Sequence, residues 1–488
     1  MHTTDFITQK KSIDIYWLNN KYTFCIFIVI RGNDMKDVYL LEFTLQGIKN
    51  LDKTIQLSFY KKTITKNPNT DKYHVKAIYG MNGAGKTAVI TSAYILKNVL
   101  LQPNYLTDTL SRQKLAELIN KYQRKIDISV QFLVRRKDYI RHYSYEITMP
   151  MDDNGEISIA HEKLSVKKAG SKKDFQPLIE VNHGILQQMK DEEHPTLKKL
   201  HEHTLNLLSS SSLLSCLLLK SIQIIDSYND PAEEPPAEMK GLYDLGKFAT
   251  SMQVYIEDND MHDDYFRSIY IPSPILQGRN GNDIPPRSPK VIVSRSSLQP
   301  FDTVFLVRKE NLNLIEQKVQ NLFHFIRIFK PELQQIVIEK KEDKSFYHCS
   351  LVMQYEDYSV NAEFESTGIK KLIRLYSYIN CMVNGRIVFI DEMDANLHDV
   401  YLCALLEYLI DSAQGQLCFT THSIGPMDIL KHQKKSIDFL SADHQIVSWT
   451  SNGNYSPSSL YREGMIQGSP FNVDESDFVG VFDDEEQF

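Results

Sequence analysis

A glycine-rich run in the first fifth of the chain has the residue types that hold phosphate groups. Gly80-Met81-Asn82-Gly83-Ala84-Gly85-Lys86-Thr87 matches the pattern G-x-x-x-x-G-K-[ST] in full. Glycines let the backbone curl so that successive N–H groups point at phosphates. A helix predicted over Thr87–Leu101 adds its positive N-terminal end. The nucleotide-binding residues predicted from this run are Gly80, Asn82, Gly83, Ala84, Gly85, Lys86 and Thr87, with Lys86 on the β- and γ-phosphates and the Thr87 hydroxyl on Mg²⁺.

Two acids follow a short apolar strand far along the chain. Val388-Phe389-Ile390 precedes Asp391 and Glu392, and a buried parallel strand delivers such residues to the sheet edge where α/β proteins bind ligands. We expect Asp391 to hold Mg²⁺ and Glu392 to polarise the attacking water as a general base. An isolated acid pair usually caps the next helix. The position after a buried strand, downstream of a phosphate loop, favours the catalytic role.

A histidine ends the next predicted strand, Leu417–Thr421. His422 could hydrogen-bond the γ-phosphate or the attacking water. A lone histidine is more often structural, but here the chain order is strand, acid pair, helix, strand, histidine. That order predicts that all three groups meet at one sheet edge, with Lys86, Glu392 and His422 as the catalytic residues.

Together these motifs resemble the ABC/SMC/RecF class of ATPases. The loop GMNGAGKT, with asparagine at its third position, looks like the phosphate loop (Walker A) of that class. Asp391–His398, DEMDANLH, is similar to its Walker B and D-loop run, and His422 matches its switch histidine. The resemblance implies an α/β fold: a P-loop NTPase with an ABC/SMC-like mixed-sheet lobe, binding ATP and Mg²⁺.

A further stretch resembles the signature motif of that class in degenerate form. Glu365–Lys371 reads ESTGIKK, and the resemblance implies that Ser366 and Gly368 bind ATP held by a second subunit. The usual second glycine is Ile369, and a common aspartate at the end of the D-loop is His398. Gln131 is the candidate for the Q-loop glutamine of the class, with an ordinary surface-strand glutamine as the alternative.

Hydrophobic periodicity predicts how the ATPase lobe is divided. Its first half, 36–170, contains strands around the phosphate loop. A block at 171–330, rich in helical spacing and in Pro–Gly loops, is predicted as a mainly helical insertion. The second half, 331–470, carries the signature-like, Walker B and switch motifs. Outside these, 1–35 is an N-terminal extension, either a peripheral strand or an upstream translation start, and 471–488 is an acidic tail.

Composition limits the compartment and the partners. Net charge is −7, so no overall basic field draws the chain to nucleic acid. The six cysteines are scattered without a CxxC pair, which favours reduced thiols in the cytoplasm. The apolar run Tyr22–Ile30 is too short to span a bilayer and lacks a cleavage site, so we expect no membrane association.

Three functions remain open at this stage. A closer resemblance, to the RecF-like AAA-type ATPases of bacterial phage-defence systems (abortive-infection, PARIS and Septu), implies an ATP-dependent dimer or larger assembly that controls a separate nuclease or toxin. The resemblance rests on the DE-x-D-A-x-L-H run, the T-T-H-S switch and Ser469–Asn472. The alternatives are a RecF-like repair ATPase that binds DNA, and a slow nucleotide-sensing switch. In the 66 residues after His422, no predicted strand carries an acidic cluster like that of a TOPRIM nuclease, so we expect that this chain does not itself cut nucleic acid.

Overall fold

The computed structural model describes 38–71, 73–136, 140–189, 197–198, 202, 208–216, 236–256, 290–292, 302–343, 346–450 and 455–469. The strands of these residues, in chain order, are β1 (Val38–Gln46), β2 (Ile55–Ser58), β3 (Val75–Gly80), β4 (Lys125–Arg135), β5 (Ile140–Pro150), β6 (His161–Lys168), β7 (Gln176–Asn182), β8 (Ile185–Met189), β9 (Met252–Tyr255), β10 (Lys290–Ile292), β11 (Val304–Arg308), β12 (Gln335–Asp343), β13 (Phe346–Gln354), β14 (Ser359–Asn361), β15 (Ile387–Ile390), β16 (Gln416–Thr420), β17 (Ile437–Leu440) and β18 (Ile446–Ser448). The α-helices are α1 (Lys86–Leu101), α2 (Thr109–Leu118), α3 (Ala237–Ser251), α4 (Leu312–Phe329), α5 (Thr367–Val383), α6 (Asp399–Ser412), α7 (Gly425–Leu430) and α8 (Pro457–Arg462).

A central six-stranded sheet has the order β18-β17-β3-β16-β15-β9. Strands β17, β3, β16, β15 and β9 run parallel, and β18 adds an antiparallel edge. Every residue of β3, β15 and β16 is buried. Apolar sequences such as IVFI in β15 are typical of parallel strands covered on both faces. The sheet therefore presents the carboxyl ends of five parallel strands at one edge.

An antiparallel seven-stranded sheet, ordered β2-β1-β4-β5-β6-β7-β8, covers one side of α1. Its long strands alternate buried and partly exposed residues, as β4 does, because one face of an antiparallel sheet packs on the core. Phe132 of β4 stacks on Phe248 of α3 with ring centroids 4.4 Å apart. The rings of Phe43 of β1 and Phe389 of β15 have their centroids 5.8 Å apart. The helix that follows the phosphate loop is thus enclosed between two sheets.

A third sheet, ordered β10-β11-β13-β12 with β14 beside β13, packs against α4 and α5. Helix α5 has two buried faces: Ile369 and Leu372 belong to the core of this third sheet, and Leu375 and Ile379 to the core beneath the central sheet. One helix therefore connects the two sheets, and the signature-like turn lies at its N-terminus.

The described residues of the block 171–330, which the sequence predicts as a mainly helical insertion, contain strands as well as helices. This block supplies strands to all three sheets, including β9, which pairs in parallel with β15. Strand β9 was not predicted because its sequence, MQVY, is a four-residue buried run. Periodicity alone does not distinguish such a run from part of a buried helix. Helices α3 and α4 also lie in this block, and α4 agrees to within three residues with the helix that apolar spacing predicts over Lys309–Phe329.

The helix predicted over Thr87–Leu101 and the strand predicted over Leu417–Thr421 are confirmed as α1 and β16, with ends that differ from the prediction by at most one residue. The run Val360–Glu363 is strand-like in sequence, but β14 ends at Asn361 and a 3₁₀ turn follows over Ala362–Phe364. Apolar spacing also predicts helices over Leu197–Leu208 and Leu213–Ile225, which lie largely outside the described residues. The predicted N-terminal extension 1–35 and acidic tail 471–488 lie wholly outside them. No helix in the described part of the chain is long and apolar enough to cross a membrane.

Candidate nucleotide-binding site

The strand order brings the three predicted motifs to one sheet edge. β16, which leads to His422, lies between β3, which leads to the phosphate loop, and β15, which leads to Asp391. Because all three strands are parallel, their carboxyl ends share that edge. The convergence predicted from chain order is therefore present in the fold.

The phosphate loop connects β3 directly to α1. Gly83 and Gly85 have φ values of 77° and 105°, in the left-handed region that favours glycine. At Gly85 a side chain is also excluded sterically, since a Cβ would lie 2.5 Å from Cδ2 of Leu51. Lys86 is buried, and its Nζ donates to the carbonyl oxygens of Gly80 at 2.8 Å and Met81 at 3.1 Å. These two bonds therefore hold Lys86 against the loop that is predicted to bind the phosphates of the nucleotide.

Thr420, at the end of β16, fixes both Walker B acids. Its hydroxyl donates to Oδ1 of Asp391 at 2.6 Å and accepts the backbone N–H of Glu392 at 2.7 Å. Glu392 has a φ of 46°, a conformation that costs a non-glycine residue on the order of 1–3 kcal/mol and is frequent at active sites. On its other side Lys371 donates to the carbonyl oxygen of Glu392. These bonds hold the strained residue in a defined position.

Three carboxylates act on Lys86. Burial lowers the pKa of Lys86, and the negative charges of Asp391, Glu392 and Asp394 oppose that shift. A divalent cation bound at this edge would offset the negative charge of the acids. A threonine hydroxyl at Thr87 and the Asp391 carboxylate are the hard oxygen ligands that Mg²⁺ prefers. The residues present therefore fit a magnesium–nucleotide complex.

The segment after β16 is anchored by Asp394. Its Oδ2 accepts the backbone N–H groups of His422 and Ser423, each at 3.0 Å, and the Ser423 hydroxyl donates to Asp399. The His422 side chain is exposed, at the edge where the phosphate loop begins. The imidazole is thus accessible while its backbone is fixed by the D-loop run.

The signature-like turn is braced and exposed. Ser366 caps α5, its hydroxyl accepting the N–H of Ile369 at 3.4 Å. Glu365, just before it, pairs with Lys330 at 3.1 Å and accepts from Tyr355. At Gly368 a Cβ would lie 2.7 Å from the carbonyl oxygen of Asn396. The turn and the D-loop therefore pack against each other in one chain.

Both departures from the signature and D-loop pattern have structural roles. Ile369 is 7% exposed and belongs to the core beneath the third sheet, so this position takes an apolar side chain in place of a glycine. His398 caps α6, with Nδ1 accepting the N–H of Val400 at 3.3 Å. A hydrogen-bonding side chain at an N-cap satisfies a backbone donor as an aspartate would.

Gln131 lies in the middle of β4, where its side chain has partners in the antiparallel sheet. Its Nε2 donates to Glu42 at 3.2 Å, and its Oε1 is 3.0 Å from Nε2 of His142. These contacts favour the structural alternative for Gln131 over a role at the nucleotide.

Sequence reasoning missed four side chains that shape the site: Thr420, Lys371, Asp394 and Asn50. Thr420 and Asp394 were within the quoted motifs, so their polar character at strand ends was a usable signal. Lys371 was within the signature-like stretch but gave no sign of its contact with Glu392. Asn50 donates to the carbonyl oxygen of Gly83 at 2.6 Å, a contact across 33 positions that no local pattern indicates.

Comparison with known proteins adds a distant structural likeness. No protein-family profile matches the chain, and no curated protein matches it in sequence. Among solved structures, the recombination mediator protein RecF of the RecFOR pathway, solved as RecF-ATPrS, matches with a TM-score of 0.35 and 12% identity, over 86% of this chain and 100% of that chain.

Proposed function

We propose that this chain is a magnesium-dependent ATPase that closes a dimer, or a larger assembly, around ATP. The observation that carries the proposal is the meeting of the phosphate loop, the Asp391–Glu392 pair and the His422 segment at the carboxyl edge of the central sheet. The negative charges of Asp391, Glu392 and Asp394 act on Lys86, and this combination of a lysine and acids is suited to phosphate and a divalent cation.

Each residue has a separate task in this proposal. The loop Gly80–Thr87 directs backbone N–H groups and Lys86 at the phosphates. Thr87 and Asp391 hold Mg²⁺, which offsets the negative charge of the phosphates when bound. Glu392 accepts a proton from the attacking water, and His422 donates a hydrogen bond toward the γ-phosphate or that water.

A second subunit would complete the site through its signature-like turn. Ser366 and Thr367 are exposed at the N-terminus of α5, and a helix N-terminus favours negative charge. Two large apolar side chains near the turn or the D-loop run in the sequence are exposed in the described chain: Phe364, just before the turn, is 81% exposed, and Val400, just after the D-loop run, is 67% exposed. Association that covers them would add hydrophobic stabilisation, so ATP and the apolar rim would act together in holding the dimer.

The wider role we propose is that of an ATPase subunit in an anti-phage defence complex, which controls a separate nuclease or toxin. This part rests on the resemblance of the DEMDANLH and TTHS runs to such ATPases. ATP hydrolysis would then switch the assembly between two forms, because only one nucleotide state stabilises the closed form.

Phosphate release from ATP tests the enzymatic proposal. We expect turnover by the unaltered chain, and loss of turnover with retained ATP binding in Glu392→Gln. Glu407→Gln, an exposed acid on α6, is the matched control and should turn over normally. Loss of activity in the control alone, or full activity in Glu392→Gln, would contradict the role of Glu392.

A further inference from the structure

The turn between β1 and β2 lies directly against the phosphate loop. The Asn50 amide donates to the carbonyl oxygen of Gly83 at 2.6 Å. Leu51, fully buried, occupies the space where Gly85 lacks a side chain. Asn50 is therefore hydrogen-bonded to the phosphate loop, and the next residue, Leu51, packs against it.

Two further side chains orient the Asn50 amide. Nε2 of His444, in the turn between β17 and β18, is 3.2 Å from Nδ2 of Asn50. Nδ1 of the same ring is 2.6 Å from Oδ1 of Asp52. Since the amide nitrogen is a donor, Nε2 must accept, and the ring proton lies on Nδ1 and is donated to Asp52. Both amide protons of Asn50 are then used, one by His444 and one by Gly83.

The bond to Gly83 fixes the orientation of a peptide group of the phosphate loop. In a trans peptide the C=O of Gly83 and the N–H of Ala84 point in opposite directions. With the carbonyl of Gly83 bonded to Asn50, the N–H of Ala84 points the opposite way and donates to the carbonyl oxygen of Met81 at 3.2 Å. Asn50 therefore fixes one peptide group of a loop whose backbone shape must direct N–H groups at phosphates.

We propose that Asn50, oriented by His444 and Asp52, is a positioning residue that keeps the phosphate loop in its nucleotide-binding shape. The inference rests on the proposed function. It adds a specific prediction: Asn50 and His444 act as one unit on ATP affinity, although neither belongs to a nucleotide-binding motif.

The test is a double-mutant cycle on the affinity of the full chain for a fluorescent ATP analogue. We expect Asn50→Ala and His444→Ala each to weaken binding about three- to tenfold, in line with one hydrogen bond. The double variant should be no weaker than the weaker single variant. Gln123→Ala, which removes a contact of 3.4 Å to the backbone of Asp52 in the same turn, should bind normally.

Lys86→Ala separates failure of this inference from failure of the proposed function. If Lys86→Ala binds the analogue as well as the unaltered chain does, the nucleotide site is misplaced and the proposed function fails. Lys86→Ala could instead abolish binding while Asn50→Ala binds normally, or while the affinity losses of Asn50→Ala and His444→Ala multiply in the double variant. Either result overturns only the positioning role of Asn50 and His444. Melting temperatures of all variants identify any loss that reflects unfolding.

Discussion

Oδ2 of Asp394 accepts the backbone N–H of His422 at 3.0 Å, and so connects the D-loop run to the predicted switch histidine. The same oxygen accepts the N–H of Ser423. One carboxylate therefore fixes the backbone on which the imidazole is mounted. Any movement of the D-loop at a subunit interface would be transmitted to the histidine through these two bonds.

Replacement of Asp394 should impair catalysis more than binding. We expect Asp394→Ala to lower kcat for ATP about tenfold or more, an effect of roughly 1.4 kcal/mol on the barrier, because His422 loses its anchored position. KM should change little, since the phosphate loop is intact. Asp394→Asn should retain part of the activity, because an amide oxygen can still accept one N–H. Steady-state phosphate release gives both constants, and an unchanged kcat in Asp394→Ala would exclude the anchoring role.

Gly85 should tolerate no side chain. In Gly85→Ala the new Cβ would meet Leu51 at 2.5 Å with φ at 105°, so we expect a lower melting temperature and at least about tenfold weaker ATP binding. Gly155→Ala is a matched control, with φ at 79° and no atom within 4 Å of the Cβ. It should cost some stability and leave ATP affinity unchanged. Equal ATP affinity in the two variants would show that the contact with Leu51 does not shape the loop.

Gly368 tests the signature-like turn separately from the phosphate loop. A Cβ at Gly368 would push on the carbonyl oxygen of Asn396 at 2.7 Å, so Gly368→Ala should disturb the exposed turn and D-loop together. We expect ATP binding to persist while ATP-dependent association is lost, as seen by light scattering. Gly246→Ala in α3, where the Cβ would be 3.7 Å from Leu214, should associate normally. Association of Gly368→Ala like that of the unaltered chain would argue against this turn at the interface.

The buried carboxyl of Glu162 should make stability depend on pH. Burial raises the pKa of Glu162 to about 7, although Tyr145 and the N–H of Leu213 donate to it. The folded chain then binds a proton that the unfolded chain, with a glutamate pKa near 4.3, has released. Stability contributed by this group is present below the unfolded pKa and is lost as the pH rises to about 7. Glu162→Gln should flatten the melting temperature between about pH 4.5 and 7, whereas the exposed Glu146→Gln should not.

The site was more predictable than the connections that hold it. Strict spacing in the phosphate loop and short apolar strands before Asp391 and His422 placed the three motifs at one sheet edge, because parallel strands leave little choice. The partner strand β9 was not predicted, since its pairing with β15 spans more than a hundred positions. The bonds of Thr420 and Asn50 depend likewise on which strands become neighbours. Local patterns indicate an element, and tertiary pairing determines what each polar side chain reaches.

The central claim is that ATP binds in a composite site formed by two subunits. Two measurements made together test it most directly: the mass of the Glu392→Gln variant in ATP and in ADP, and the turnover of the unaltered chain at increasing protein concentration. The account predicts that specific activity rises with concentration and that Glu392→Gln is trapped in ATP as a dimer or larger species, returning to the smaller form in ADP. Turnover independent of concentration, with Glu392→Gln monomeric in ATP, would contradict it.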